Sequence, residues 1–205
     1  MSRNTASISA VFGGSGSGKS AHVKQRIARE KPSRLIVWDP MGEYGDFGLR
    51  VPSLADCLAL VKKAGSKGRF ALTYTPRGDT EARRNQFDVL CKIAFAAERV
   101  FLVAEELNSV TRPSWAPAGW QDVSSRGRHR GMTVLGVSQR PASVDKDFFS
   151  NATTVRTGRL NFEDDIRVLA NILRVPAERI ADLKPLQWIE RDMQTGQISE
   201  GVVTF

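Results

Sequence analysis

Apolar and β-branched residues fall in short clusters along this chain: Ile8 to Phe12, Leu35 to Trp38, Phe70 to Tyr74, Val100 to Ala104, Met132 to Val137 and Thr153 to Thr157. Runs of that length suit strands buried on both faces and are too short for helices. Most of the segments between them change to a helical period. Ser20 to Arg29 reads as a helix, Ser53 to Lys63 opens with Ser53 and Asp56 in capping-box spacing, and Thr80 to Glu98 repeats Phe87, Leu90, Ile93, Ala94 and Ala97 along one face. The alternation predicts an α/β fold with a mainly parallel central sheet and helices on both faces. Further on, Asn161 stands where it would cap a helix running to about Leu173, and Pro176 suits a first helical turn. Leu186 to Glu190 and Ile198 to Phe205 flank Thr195-Gly196 as a C-terminal β-hairpin. Ser109 to Gly119 is irregular, holding Arg112-Pro113, Trp115, Pro117 and Gly119. It fits a loop that lines a pore or meets a neighbouring molecule, and equally a surface loop anchored by Trp115 and Trp120.

A length of 205 residues suits one domain spanning 1–205, large enough to fill a core without disulfides or metals. No internal repeat, low-complexity segment or interdomain linker interrupts it. Lys and Arg number 30 against 22 Asp and Glu, giving a net charge of +8 and a pI near 9.9, which favours polyanionic partners without naming one. Ribosome-bound and membrane-surface proteins share that balance. Cys57 and Cys91 lie in predicted helices without C-x-x-C spacing and read as reduced core thiols, while the isolated His22 and His129 offer no zinc site. With a polar Met1 to Ser9 and no apolar run long enough to cross a bilayer, the expectation is a soluble protein of the cytoplasmic compartment, unless a partner carries it elsewhere.

The most specific chemistry follows the first predicted strand. Gly13-Gly14-Ser15-Gly16-Ser17-Gly18-Lys19-Ser20 fits G-x-x-x-x-G-K-[ST], with strand, loop and helix in the order that a phosphate loop requires. Small residues let consecutive backbone N–H groups curl around phosphates, Lys19 reaches the β and γ oxygens, and Ser20 offers its hydroxyl to Mg2+. The positive end of the following helix faces the same anion. ATP and Mg2+ are therefore the expected cofactors.

Three further segments extend this site. Phe101 to Ala104 is a buried-strand pattern that ends in Glu105-Glu106, the form of a Walker B strand, where one acid holds the metal shell and the other polarises the attacking water. By position Glu105 takes the metal role and Glu106 is the catalytic base; Asp rather than Glu normally stands first, which leaves the roles open to exchange or sharing. The second strand delivers Asp39 and Glu43 to the edge where open α/β sheets place their ligands, with Asp39 as a nucleotide-binding candidate. Arg126-Gly127-Arg128-His129-Arg130-Gly131 leads into a strand that ends Ser138-Gln139-Arg140-Pro141, where the Gln139 amide is placed to sense a γ-phosphate. Ser124 to Arg140 contains no acid, so it also reads as a solvated basic face or a nonspecific nucleic-acid patch.

Together these segments resemble the FtsK/HerA superfamily of ring-forming DNA translocases. The likeness rests on Asp39-Pro40-x-Gly42-Glu43-Tyr44, the Glu105-Glu106 pair, and the Arg-x-x-Gly run before a strand ending Gln-Arg-Pro; it spans Ile8 to about Arg156. It implies a P-loop NTPase core of the RecA-like ASCE type, with Gln139 as polar sensor and Arg128 as an arginine finger entering a neighbouring subunit's site. Arg126 and Arg130 compete with Arg128 for that role, and Arg156 falls where the family often carries another arginine. A finger supplied in trans would neutralise charge on the transferring phosphoryl group and couple hydrolysis to ring geometry.

The predicted core starts within ten residues of Met1, without room for the membrane helices and winged helix of FtsK or the β-barrel of HerA. Such a short form resembles the genome-packaging ATPases of tailless, membrane-containing viruses of the tectivirus and corticovirus type. Phage assembly ATPases related to zonula occludens toxin are a nearby comparison, though they usually carry a transmembrane segment. The resemblance implies an ATPase that drives double-stranded DNA through a homo-oligomeric ring, hexamer or pentamer, by nonspecific backbone contacts. It would work in the host cytoplasm or at a virion packaging vertex beside a capsid or vertex protein. HerA-like repair or conjugation translocases fit the same motifs. A small P-loop kinase or nucleotide switch would call for an N-K-x-D signature or an arginine-rich lid, neither of which is found, and a nucleotide-regulated assembly protein would lack DNA-stimulated turnover.

Overall fold

The computed structural model describes residues 6–204. Its strands are β1 (Ser7–Phe12), β2 (Arg34–Trp38), β3 (Leu49–Arg50), β4 (Phe70–Tyr74), β5 (Phe101–Ala104), β6 (Thr133–Ser138), β7 (Thr154–Gly158), β8 (Gln187–Asp192) and β9 (Ile198–Val202). Its helices are α1 (Lys19–Glu30), α2 (Leu54–Ala64), α3 (Thr80–Ala97), α4 (Leu107–Val110), α5 (Ala118–Arg126), α6 (Lys146–Asn151), α7 (Glu163–Leu173) and α8 (Ala177–Ala181). The strands join in one sheet in the order β3-β4-β2-β5-β6-β1-β7-β8-β9. From β3 across to β7 every pair is parallel, and β8 and β9 add an antiparallel hairpin. Every predicted strand therefore exists, within a residue or two at its ends except for the last, which stops at Val202.

Side-chain alternation divides the core in two. Val11, Leu35, Val37, Phe101, Val103, Leu135 and Val137 face Val23 and Ile27 of α1. Ile8, Ala10, Phe12, Ile36, Trp38, Leu102, Ala104 and Val134 face the larger layer built from α2, α3, α5, α6 and α7. Central strands buried on both sides account for the unbroken apolar runs.

Helix starts follow local chemistry. Ser53 Oγ accepts from Asp56 N at 3.1 Å, Asp79 Oδ1 from Ala82 N at 2.9 Å and Asp145 Oδ1 from Phe148 N at 3.0 Å. The expected Asn161 cap is not formed: Phe162 is the cap residue of α7, and Glu163, Asp164 and Asp165 supply negative charge to its first turn instead. The C-terminal arm ends as a strand at Val202, and Phe205, like Met1 to Thr5, lies outside the described residues.

The segment expected to be irregular is so from 111 to 117, with the end of α4 and the start of α5 on either side. Trp120 of α5 is fully buried between Phe87 and Phe148, with ring centroids at 5.5 and 5.2 Å, and donates to Asp145 Oδ2 at 3.0 Å. Gly119 permits this approach, because a Cβ there would stand 2.4 Å from the Asp88 carbonyl oxygen of α3. Trp115, by contrast, remains 44% exposed. At the C-terminal ends of α2 and α3, Arg34 is buried and caps both helices at once. Its guanidinium donates to the carbonyls of Gly65 and Gly68 after α2 and of Ala97 and Glu98 at the end of α3, at 2.8 to 3.2 Å, and lies over Phe70.

Candidate active site

Parallel strands β1, β2, β5 and β6 end at the same edge, so four separate segments of the sequence meet there. The loop after β1 takes left-handed backbone at Gly16 and Gly18, with φ of 73° and 88°, and a Cβ on Gly13 would stand 2.3 Å from Ser17 Oγ. Gly14 N donates to Arg159 O at 2.7 Å, which ties the loop to the chain beyond β7. Lys19 opens α1, and its ammonium donates to Gly14 O at 3.0 Å. Burial lowers its pKa, opposed by the charges of Glu106, Glu105 and Glu43.

Beyond β2 the chain folds into a turn organised by one carboxylate. Asp39 is buried, and its two oxygens accept from Glu43 N at 2.9 Å and Tyr44 N at 3.0 Å. Gly42 turns the backbone at φ 71°. The product is a fixed position for Tyr44, fully buried, whose hydroxyl donates to Glu105 Oε1. Burial raises the Glu105 carboxyl to about 7, with the Tyr44 hydrogen bond pulling the other way. Burial also pushes the Tyr44 hydroxyl up, which keeps the proton on tyrosine. Glu106 differs in every respect. It sits in left-handed backbone, φ 52° and ψ 48°, is half-buried, and accepts from Gln139 Nε2 at 2.8 Å. Gln139 in turn follows Ser138, whose hydroxyl donates to Asn108 Oδ1 at 2.7 Å, and precedes Arg140, which donates to the fully buried Asp165 at 2.7 Å.

Lys19, Tyr44, Glu105, Glu106 and Gln139 line a cleft of about 550 Å³, together with Ser15, Gly16, Ser20, Asp39, Glu43, Ser109 and Arg83. Arg83 comes from α3 and donates its Nε to Gly78 O at 2.9 Å; no motif in the sequence marks it as a site residue. Ser20 and Glu105 present hard oxygen donors in the same cleft, and Mg2+ needs only one or two such protein ligands because it retains several waters. Among the described residues, no group of three His, Cys, Asp or Glu side chains is arranged to hold a metal by itself, and no helix is long and apolar enough to cross a membrane.

The basic segment Arg126 to Arg130 lies at the opposite end. It precedes the first residue of β6, whose six residues at about 3.3 Å each separate it from Gln139 by roughly 20 Å. Arg126 pairs with Asp122 and Arg130 with Glu98, and both guanidiniums lie over Phe95. Among the described residues the Arg128 side chain makes no ion pair or hydrogen bond. Arg156 is engaged inside the chain, 3.7 Å above the Trp188 ring and 3.5 Å from Glu190.

No family model matches the chain. Protein P9 of Pseudoalteromonas phage PM2 is 30% identical over 179 residues, which cover 85% of this chain and 78% of P9. Among solved structures, the genome packaging NTPase B204 of Sulfolobus turreted icosahedral virus 2 in complex with AMPPCP has a TM-score of 0.72 at 17% identity, covering 95% of this chain and 96% of that one. The bacterial conjugative coupling protein TrwBdeltaN70 in complex with sulphate has a TM-score of 0.72 at 11% identity, covering 96% and 85%. Both share the fold. Its phosphate loop faces two acids and a glutamine across a sheet with the fold of P-loop NTPases, and given the extent of the similarity to Protein P9, the chain belongs to the family of PM2 Protein P9.

Proposed function

We propose that the chain hydrolyses ATP to move double-stranded DNA in viral genome packaging, as one subunit of a homo-oligomeric ring. The observation that carries this reading is the meeting of Lys19, Ser20, Glu105 and the hydrogen-bonded Glu106–Gln139 pair in one cleft. The N–H groups from Gly13 to Ser20 hold the phosphates, and Lys19 reaches the terminal ones. Glu106, less buried than Glu105 and free of the Tyr44 contact, orients the attacking water and accepts its proton. Gln139 holds that carboxylate, so a γ-phosphate contacting the amide would release or align the base. Glu105 and Ser20 would hold Mg2+, which when bound neutralises charge on the phosphate oxygens.

Asp39 supports the site from behind by fixing the turn that carries Tyr44. Arg128 is too far from its own cleft to act there; as the guanidinium of its segment that is unpaired among the described residues, it is the candidate finger for a neighbouring subunit. B204 crystals with ATP analogues on the same fold support ATP as the nucleotide. A packaging role places the ring in the host cytoplasm or against a capsid vertex protein.

The deciding experiment is ATP-dependent displacement of a triplex-forming strand from linear duplex DNA. Wild-type protein displaces it, Glu106→Gln binds ATP without displacing it, and Arg128→Ala mixed with Lys19→Ala recovers part of the activity. Robust hydrolysis with no displacement would refute the motor.

A further inference from the structure

Arg77, Arg83 and Arg84 lie in the turn after β4 and the start of α3, Arg112 lies in the turn after α4, and Arg83 lines the nucleotide cleft. Arg77 lies in the turn after β4, its backbone held on both sides by Gln86, which accepts from Arg77 N at 3.1 Å and donates to Arg77 O at 2.7 Å. Arg83 and Arg84 lie in the first two turns of α3. Arg112 lies after α4 in a tight turn closed by paired backbone bonds with Trp115, at 2.8 and 3.0 Å. The two parts touch: the Arg84 guanidinium stands over the Trp115 ring at 5.4 Å, and its buried Nε has no hydrogen-bond partner.

Among the described residues none of these four arginines forms an ion pair, whereas Arg26, Arg126, Arg130, Arg140, Arg156, Arg167 and Arg179 all do. Of the acids close in sequence, Asp79 caps α3 by accepting from Ala82 N, Asp88 pairs with Lys92, and among the described residues Glu81 forms no ion pair with these arginines. Guanidiniums without an acid partner repel one another, and their planar donor forks match phosphodiester oxygens.

We infer that the surface formed by Arg77, Arg84, Arg112 and the half-exposed Trp115 binds the phosphate backbone of double-stranded DNA. The inference rests on the DNA reading above and locates its contact. The Trp115 ring backs the half-buried Arg84 guanidinium. Arg83, one residue along α3, lines the nucleotide cleft, so a shift of this helix with nucleotide state would move the DNA-contacting surface with it.

The test is fluorescence anisotropy of the full chain with a labelled DNA duplex across a salt series, with binding of a fluorescent ATP analogue as a fold and site control. Each phosphate contact removed lowers the slope of log affinity against log salt by about 0.9. Arg77→Glu with Arg112→Glu should weaken DNA binding at least tenfold and reduce that slope by about 2, with nucleotide binding unchanged. Lys63→Glu with Lys67→Glu, the same charge change on exposed residues around the end of α2, should leave DNA binding within about twofold. Wild-type affinity and slope in the arginine pair, or equal weakening by both pairs, would overturn this surface. A wild-type protein that binds no duplex at any salt would instead remove the DNA reading itself, and the surface with it.

Discussion

Replacing Tyr44 by Phe removes one hydroxyl from the site and leaves the ring packing in place. The lost hydrogen bond is the one that Glu105 accepts in a nearly water-free position, 7% exposed. A hydrogen bond to a charged acceptor contributes about 1.5–3 kcal/mol and one between neutral groups about 1 kcal/mol. The difference makes the effect depend on pH. Glu105 has its folded pKa raised from an ordinary 4.5 to about 7, so the folded state holds this proton more tightly than the unfolded chain. That contribution to stability is fully present below about pH 4.5 and is lost as pH rises to about 7. In Tyr44→Phe the folded carboxyl rises by roughly 1 further pKa unit, at 1.36 kcal/mol each, and the loss continues to higher pH. Urea unfolding in metal-free buffer should therefore show the variant destabilised by about 1 kcal/mol at pH 5.5 and by about 2–3 kcal/mol at pH 8.5. A penalty that is the same at both pH values would refute the contact as a charge-assisted bond to Glu105. In the proposed ATPase, the same variant should also need more Mg2+ for half-maximal binding of a fluorescent ATP analogue.

Two further outcomes test the scaffold. Arg34→Ala strips the carbonyl ends of α2 and α3 of a buried donor and should cost about 2–4 kcal/mol in urea unfolding, with nucleotide binding retained at low denaturant. Gly119→Ala places a methyl group 2.4 Å from the Asp88 carbonyl oxygen and should cost about 1–3 kcal/mol, read as a fall in the thermal midpoint.

Several parts of the fold and site were legible residue by residue. The strands of the parallel core were readable because each is buried on both faces and so carries an unbroken apolar run. Gly13 to Ser20 was readable because left-handed turns and close backbone approach demand particular residues at particular spacings. Helix α5 was missed because Pro117 and Gly119 are loop residues by local preference; packing of Trp120 against Phe87 and Phe148 outweighs that preference. Strand β3 has two exposed residues and no period to detect. Asn161 has the right local chemistry for a cap, but the chain enters α7 one residue later.

The amino-acid sequence by itself determined the phosphate loop, the acid-tipped strand and the order of strands and helices, since each depends on neighbours within a few residues. Which side chains share the cleft was decided only when the strands paired. Tyr44 meets Glu105 across 61 residues, Glu106 meets Gln139 across 33, and Arg83 enters from a helix no motif marks. The same pairing separates Arg128 from its own cleft by the length of β6, and leaves Arg126 and Arg130 engaged by nearby acids while Arg128 pairs with none among the described residues. The physical reason is that the order β2-β5-β6-β1 is set by burial of whole strand faces, a property of the assembled sheet that no local spacing encodes.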